Sequence, residues 1–188
     1  VTAYAKAKWK AEQLINNHAS NDFLVTSFRP STVFGASARL RCDIVFNNLV
    51  ACAYTTGKIE ILSDGTPWRP VVHVKDVCSA FISGLEAPAE ILNGRAFNVG
   101  IPNGNYTVRD LAEAAQRTVP GSELTFTGEH GSDSRTYQVS FNRILTELKD
   151  LLSFLLFSIT SAELFILFFV LVFFSKFSSL LNNNTLLL

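Results

Sequence analysis

The chain alternates between two hydrophobic periods over its first 127 residues. Four stretches place apolar residues every three or four positions, which predicts helices, and short apolar or alternating runs between them predict strands. The predicted helices are Tyr4 to Asn17, Asp43 to Gly57, Asp76 to Pro88 and Val108 to Val119, and the predicted strands are Phe23 to Phe28, Ile59 to Leu62, Pro70 to Val74, Ala96 to Gly100 and Glu123 to Thr127. This order of helices and strands predicts an α/β fold.

Two helix ends carry local signals. Gly57 follows an apolar helical run and is a typical helix stop, because glycine readily adopts the left-handed conformation there. Thr107 is followed three residues later by Asp110, the spacing of a capping box at a helix start. Both signals predict where helices begin and end without reference to distant residues.

The composition changes abruptly after Asp150, and the remaining residues carry only two charges, Glu163 and Lys176. Leu151 to Phe174 is an apolar run of 24 residues, long enough to span a membrane as a helix. A carboxylate near its middle, Glu163, opposes insertion, and the Leu, Phe, Ser and Asn bias resembles AT-rich DNA read out of frame. We therefore expect residues 149–188 to be an apolar, helical C-terminal tail, and we rank a frameshift product above a membrane anchor.

Charge and cysteine content exclude several classes of protein. Sixteen Lys and Arg balance sixteen Asp and Glu without a basic run, so no nucleic-acid partner is expected. The three cysteines, Cys42, Cys52 and Cys78, show no metal-ligand spacing, so we expect no metal, a reducing compartment and a cytoplasmic location. The chain contains no methionine, and we expect it to be a fragment of a longer gene product.

The first predicted helix carries a pair of residues with the chemistry of an acid/base site. Tyr4 and Lys8 are four positions apart, so a helix puts both on one face. A neighbouring cation favours a phenolate over a phenol, and a phenolate can take a proton from an alcohol. With Lys6 and Lys10 nearby, this two-residue pattern alone favours Lys8 as one of several solvated lysines over a catalytic role.

The motifs that follow resemble a known family in their order. "YAKAKWKAE", "FRPSTVFG", "DIVFNNLV", "GKIEILSDGTPWRPVVHVKDV", "AFNVG" and "DSRTY" are similar to the C-terminal half of the extended short-chain dehydrogenase/reductases, the NAD-dependent epimerase/dehydratase family acting on nucleotide sugars. The resemblance covers residues 1–148. It implies the later part of a Rossmann-like, doubly wound parallel sheet with a small α/β substrate-binding region, and hydride transfer at a sugar carbon through a keto intermediate.

Individual roles follow from the resemblance position by position. It implies Tyr4 as acid/base and Lys8 as the cation beside it and a ligand of the cofactor ribose. It further implies cofactor contacts at Pro30, Ser31, Thr32 and Val33, and substrate contacts at Asn47, Arg69 and Arg135. Asn47 is equally suited to capping or bridging backbone. For Arg69 we rank the diphosphate contact above the alternative, a surface ion pair with Asp64 or Asp76. His73 is interpreted as a core histidine, and Asp76 as an organiser of the helix start.

The resemblance also implies NAD or NADP as the cofactor, a nucleotide sugar as the substrate, and a homodimer for the full-length parent. No strand here leads through a glycine-rich turn into a helix, so the phosphate-binding half is missing and this chain alone is expected to be inactive. A non-extended short-chain dehydrogenase is disfavoured, because "RPSTVFG" stands where that group has Pro-Gly. The alternative is an inactive truncated product attached to a membrane through residues 151–174.

Overall fold

The computed structural model describes residues 2–129 and 136–148. Within these ranges the helices are α1 Ala3–Asn16, α2 Val45–Thr56, α3 Val74–Glu86, α4 Ala89–Leu92, α5 Val108–Thr118 and α6 Asn142–Glu147. The strands are β1 Thr26–Pro30, β2 Thr32–Phe34, β3 Lys58–Ile61, β4 Trp68–His73, β5 Arg95–Val99, β6 Asn105–Thr107 and β7 Glu123–Phe126. The predicted alternation of helices and strands is confirmed.

The strands form three small sheets. β1 pairs with β5 in parallel, from Thr26 opposite Arg95 to Pro30 opposite Val99. β3 pairs with β7, also in parallel, from Lys58 opposite Glu123. A third sheet has the order β2-β4-β6. The chain divides into two compact units, the first containing 2–33, 70–105 and 137–148 and the second 34–69, 106–129 and 136 among the described residues.

The first unit is built around a core of apolar side chains from β5 and several helices, against which Phe28 of β1 packs. Its buried members are Ala80, Leu92, Phe97, Val99, Phe141, Ile144 and Leu148. Alternation along β5 places Phe97 and Val99 on the same face, and α6 packs against this strand. Gly100 lets the chain pass close to Phe141, because an added Cβ would lie 2.3–2.6 Å from three atoms of that ring.

The second unit has a core between two helices and a strand. α2 packs on α5 and on β3. The buried apolar side chains are Phe46, Leu49, Val50 and Ala53 of α2, Leu111, Ala112, Ala114 and Ala115 of α5, and Ile59 and Ile61 of β3. α2 ends at Gly57, whose φ of 70° is left-handed, and α5 begins with the Thr107–Asp110 capping box. Both local signals are therefore confirmed.

One predicted strand starts later than its sequence suggested. Phe23 was expected to begin the strand that contains Phe28, but β1 begins at Thr26. Residues 20–23 instead close a turn, in which the Phe23 N–H donates to Ser20 Oγ at 3.1 Å and Ser20 N–H donates to the Phe23 carbonyl. Local side-chain bonding here competes with extension of the strand.

Among residues 2–129 and 136–148, every helix is too short or too polar to cross a membrane. The apolar run from Leu151 to Phe174, which carries the expectation of a helical tail, lies outside the described residues.

Candidate active site

Tyr4 and Lys8 lie one turn apart on α1. The helix forms because Thr2 caps its start, accepting a hydrogen bond from the Ala5 N–H at 3.2 Å, and because the following residues include no glycine or proline. Lys8 Nζ is 5.9 Å from the centre of the Tyr4 ring. Tyr4 is 73% exposed, so its hydroxyl is open to a ligand. The spacing in the sequence thus brings the phenol and the ammonium together on one helix face.

An ion pair attaches α1 to the first strand. Arg29 of β1 donates from Nε to Glu12 Oε2 at 2.9 Å, and its Nη2 contacts the other carboxylate oxygen. This bidentate hydrogen bond from Arg29 lowers the pKa of Glu12, and the carboxylate in turn raises the pKa of Arg29. Because α1 buries no residue in the described chain, this pair is a specific tether between the tyrosine helix and the strand.

A cavity of about 310 Å³ opens beside the carboxyl ends of β1 and β5. Pro30, Ser31, Thr32, Asn98 and Tyr137 are among its lining residues. The Ser31 N–H donates to the Val99 carbonyl at 3.1 Å, continuing the pairing of the two strands, whereas Ser31 Oγ is a buried atom without a hydrogen-bond partner in the described part of the chain. Ligands of α/β sheets commonly bind at the carboxyl ends of parallel strands.

The apolar and polar groups of this cavity suit an aromatic ring that bears an amide, as nicotinamide does. Pro30 offers an apolar face, and the buried Ser31 hydroxyl offers a donor and acceptor for the amide. Asn98 is anchored by donating from Nδ2 to the Ser140 carbonyl at 3.1 Å. Val33, the remaining predicted cofactor contact, lies half-buried in β2.

Asn47, in the second unit, uses its side chain to bridge two stretches of backbone. Oδ1 accepts a hydrogen bond from the Gly35 N–H at 3.3 Å, and Nδ2 donates to the Arg41 carbonyl at 2.9 Å. The residue is 2% exposed. The amide therefore holds the ends of the segment 35–41 together, and its expected contact with substrate stays a prediction.

Arg69 lies near the start of β4, where Nη1 donates to the Trp68 carbonyl at 2.8 Å. The preceding turn is closed by Asp64, whose Oδ1 accepts from the N–H and the hydroxyl of Thr66 at 2.9 and 2.7 Å. Gly65 takes a φ of 84° within this turn. The arginine thus follows directly from a tightly hydrogen-bonded loop.

His73 and Asp76 lie at the junction of β4 and α3. His73 caps α3, its Nδ1 accepting from the Lys75 N–H at 3.2 Å. Partial burial, together with the charge of Lys75, lowers the pKa of His73 to about 4, so the ring is neutral at physiological pH. Asp76 is fully buried in the first turn of the helix. Asp76 thus lies at the helix start, where the sequence interpretation put it, whereas His73 is a half-buried helix cap and not the core histidine that was expected.

Sequence reasoning did not single out Arg109, Asn98 or Tyr137. Arg109 hydrogen-bonds to Asp64, 45 positions away, and Asn98 to Ser140, 42 positions away, so no local sequence pattern predicts either contact. Arg135 lies outside the described residues. In the part of the chain that the structure describes, no group of three or more His, Cys, Asp or Glu side chains is arranged to hold a metal ion.

Curated proteins similar to this chain include a UDP-sugar synthase and a UDP-sugar epimerase. UDP-D-apiose/UDP-D-xylose synthase 2 of Arabidopsis thaliana is 34% identical over 82 residues, which are 44% of this chain and 20% of that protein. UDP-glucose 4-epimerase of Bacillus subtilis is 29% identical over 140 residues, covering 65% of this chain and 41% of the relative. The chain thus spans less than half the length of these curated relatives.

Solved structures share the fold at low sequence identity. UDP-glucose 4-epimerase from Thermotoga maritima, solved with UDP-glucose, matches 92% of this chain and 55% of its own with a TM-score of 0.75 and 19% identity. UDP-glucuronic acid 4-epimerase from Bacillus cereus, solved with UDP-glucuronic acid and NAD, matches 86% and 50% with a TM-score of 0.70 and 19% identity. The fold is therefore the Rossmann-like α/β fold that the sequence predicted. A sequence model of the NAD dependent epimerase/dehydratase family matches residues 1–100, and the chain belongs to that family.

Proposed function

We propose that this chain supplies the acid/base pair and substrate-binding groups of an NAD(P)-dependent nucleotide-sugar epimerase or dehydratase. The observation that carries the proposal is the pairing of an exposed Tyr4 with Lys8 on one face of α1, in a chain that belongs to this family. The substrate class follows from relatives that act on UDP-sugars.

Each residue has a role that its chemistry suits. The Tyr4 phenolate takes the proton of a sugar hydroxyl, and Lys8 stabilises the phenolate and binds the cofactor ribose. Backbone at Pro30, Ser31, Thr32 and Val33 would hold the nicotinamide. A bound NAD(P) would supply the hydride acceptor for the sugar carbon whose hydroxyl Tyr4 deprotonates, which is the chemistry needed for a keto sugar. Arg69, Asn47 and Arg135 bind the substrate diphosphate, for which the planar fork of arginine is well suited.

The test is made on the full-length gene product. We expect Tyr4→Phe to lower kcat by roughly 10²–10⁴-fold, the usual contribution of an acid/base group, with little change in NAD binding. Lys8→Ala should reduce both turnover and NAD affinity, measured by steady-state kinetics with UDP-sugars and by calorimetric titration with NAD.

Lys6→Ala is the matched control, because Lys6 is an exposed lysine on the same helix but on a different face from Tyr4. It should leave both quantities unchanged. Wild-type turnover in Tyr4→Phe would remove Tyr4 from the mechanism and refute the proposal.

A further inference from the structure

The loop before Arg69 is fastened to the start of α5 by three hydrogen bonds. The Val108 N–H donates to the Pro67 carbonyl and the Arg109 N–H to the Gly65 carbonyl, both at 2.9 Å. Arg109 also donates from Nη2 to the Asp64 carbonyl at 2.8 Å. The first N–H groups of a helix have no partner within the helix, and here two of them are used to fix a loop.

The guanidinium of Arg109 is itself held in place. It lies over the ring of Phe126 in β7, 3.9 Å from the ring centre. Gly65 closes the space beside them, because a Cβ at this position would lie 2.7 Å from the Phe126 ring and 3.1 Å from Arg109 Cβ. A planar, stacked guanidinium loses little freedom when it hydrogen-bonds, so this arrangement is rigid.

The loop leads straight into the arginine that is proposed to bind the substrate. Pro67, whose carbonyl is bonded to α5, precedes Trp68 and Arg69, and the Arg69 guanidinium is turned back onto the Trp68 carbonyl at 2.8 Å. A displacement of the loop would therefore displace Arg69. Charge-assisted contacts to phosphate depend strongly on the placement of the arginine fork.

We propose that Arg109 is a positioning residue, which fixes the loop 64–67 and thereby orients Arg69 toward the diphosphate of the nucleotide sugar. The proposal rests on the proposed function of Arg69. It assigns Arg109 no contact with substrate, so its effect passes through loop geometry and not through its charge.

The first experiment measures UDP binding to the full chain by calorimetric titration. We expect Arg69→Ala to weaken binding about tenfold or more, and Arg109→Ala about fivefold. Arg109→Lys keeps the charge but not the planar fork, and should weaken binding as much as Arg109→Ala. Arg117→Ala, an exposed arginine at the other end of the same helix, is the control and should stay within about twofold.

A second measurement follows the loop without any ligand. The chain contains two tryptophans, so Trp9→Phe leaves Trp68, which adjoins the loop, as the single reporter. In that background Arg109→Ala should increase acrylamide quenching of Trp68 fluorescence, whereas Arg117→Ala should not. If Arg109→Ala loses its cooperative melting transition, Arg109→Lys carries the test, since its aliphatic stem still covers Phe126.

The outcomes separate this proposal from the one on which it rests. Weakened UDP binding in Arg69→Ala with wild-type binding in Arg109→Ala would overturn the positioning role and leave the role of Arg69 intact. Rescue of binding by Arg109→Lys would also overturn it, because charge alone would then explain the effect. Unchanged binding in both alanine variants, or no UDP binding by the wild-type chain, would overturn the diphosphate assignment and the positioning role together.

Discussion

Replacing Asn47 by alanine tests whether its buried amide is a structural bridge. The substitution removes a hydrogen bond of 2.9 Å to the Arg41 carbonyl and a longer one of 3.3 Å from the Gly35 N–H. A typical intramolecular hydrogen bond contributes about 1 kcal/mol, and a buried group left without a partner costs about 1–3 kcal/mol. The bond to the Arg41 carbonyl is part-buried, whereas the bond from the Gly35 N–H is buried, so the loss of the second is expected to leave the less solvated group.

The two contributions lead to an expected loss of about 2 kcal/mol in the free energy of unfolding of the chain. For a chain of this length such a loss corresponds to a fall of about 4–8 °C in Tm. Urea unfolding followed by circular dichroism measures the first quantity, and thermal melting measures the second. Asn48→Ala is the matched control, because the neighbouring asparagine is exposed and should change stability by no more than about 0.5 kcal/mol.

Asn47→Asp separates the two bonds. The carboxylate still accepts from the Gly35 N–H, but its second oxygen faces the Arg41 carbonyl, where the amide had donated. Burial and this repulsion raise the pKa of the introduced carboxyl above its unfolded value, so the variant should be destabilised at neutral pH and recover as the pH falls. If Asn47→Ala unfolds at the same urea concentration as Asn48→Ala, the bridge does not stabilise the fold and the reasoning is wrong.

Two further substitutions test the capping histidine and the core. The pKa of His73 is about 4 in the fold and about 6.5 unfolded, so its neutral form contributes stability that is complete above pH 6.5 and lost as the pH falls toward 4. His73→Asn should reduce the stability difference between pH 7.5 and pH 4.5 by about 1–2 kcal/mol, a figure discounted for the partial exposure of the ring. Urea unfolding at the two pH values measures this difference. An unchanged difference in His73→Asn, or an equal change in the exposed His18→Asn, would contradict the prediction. Gly100→Ala should lower the free energy of unfolding by about 1–3 kcal/mol, because the new Cβ meets the Phe141 ring. In the double variant with Phe141→Leu, this loss should be smaller. If the losses of the two single variants simply add in the double variant, the clash is refuted.

Features set by neighbouring residues were predictable from the sequence. The stop at Gly57 needs only a left-handed glycine, and the start at Thr107 needs only Asp110 three positions later. The shared face of Tyr4 and Lys8 follows from helix periodicity alone. The family resemblance also predicted the Rossmann-like fold, since the motifs stand in the same order along this chain as in the family.

Features set by distant residues were not predictable in the same way. Strands β2 and β6 have three residues each, which is too few to show an alternation of apolar and polar residues. The late start of β1 depends on Asn93, whose Oδ1 accepts from the Val25 N–H and whose Nδ2 donates to the Ser20 carbonyl, so that it ties the residues before the strand to a loop about 70 positions away. The sequence left open whether Asn47 bridges backbone, and only its partners in space answer that question.

Arg69 and Arg109 show why a candidate binding residue is easier to predict from sequence than the residue that positions it. Arg69 is recognisable from its motif, "WRPVVHV", because the family resemblance implies a diphosphate contact for the arginine at that position. The groups that hold the loop before Arg69 need no particular sequence motif, since any helix start that offers two N–H groups and a stacked side chain can hold that loop. Arg109 performs this task from 40 residues further along the chain, next to a capping box whose local signal gave no hint of the contact. The position of a ligand-binding group therefore depends on hydrogen bonds between residues distant in sequence, which are seen in the fold and not in a local motif.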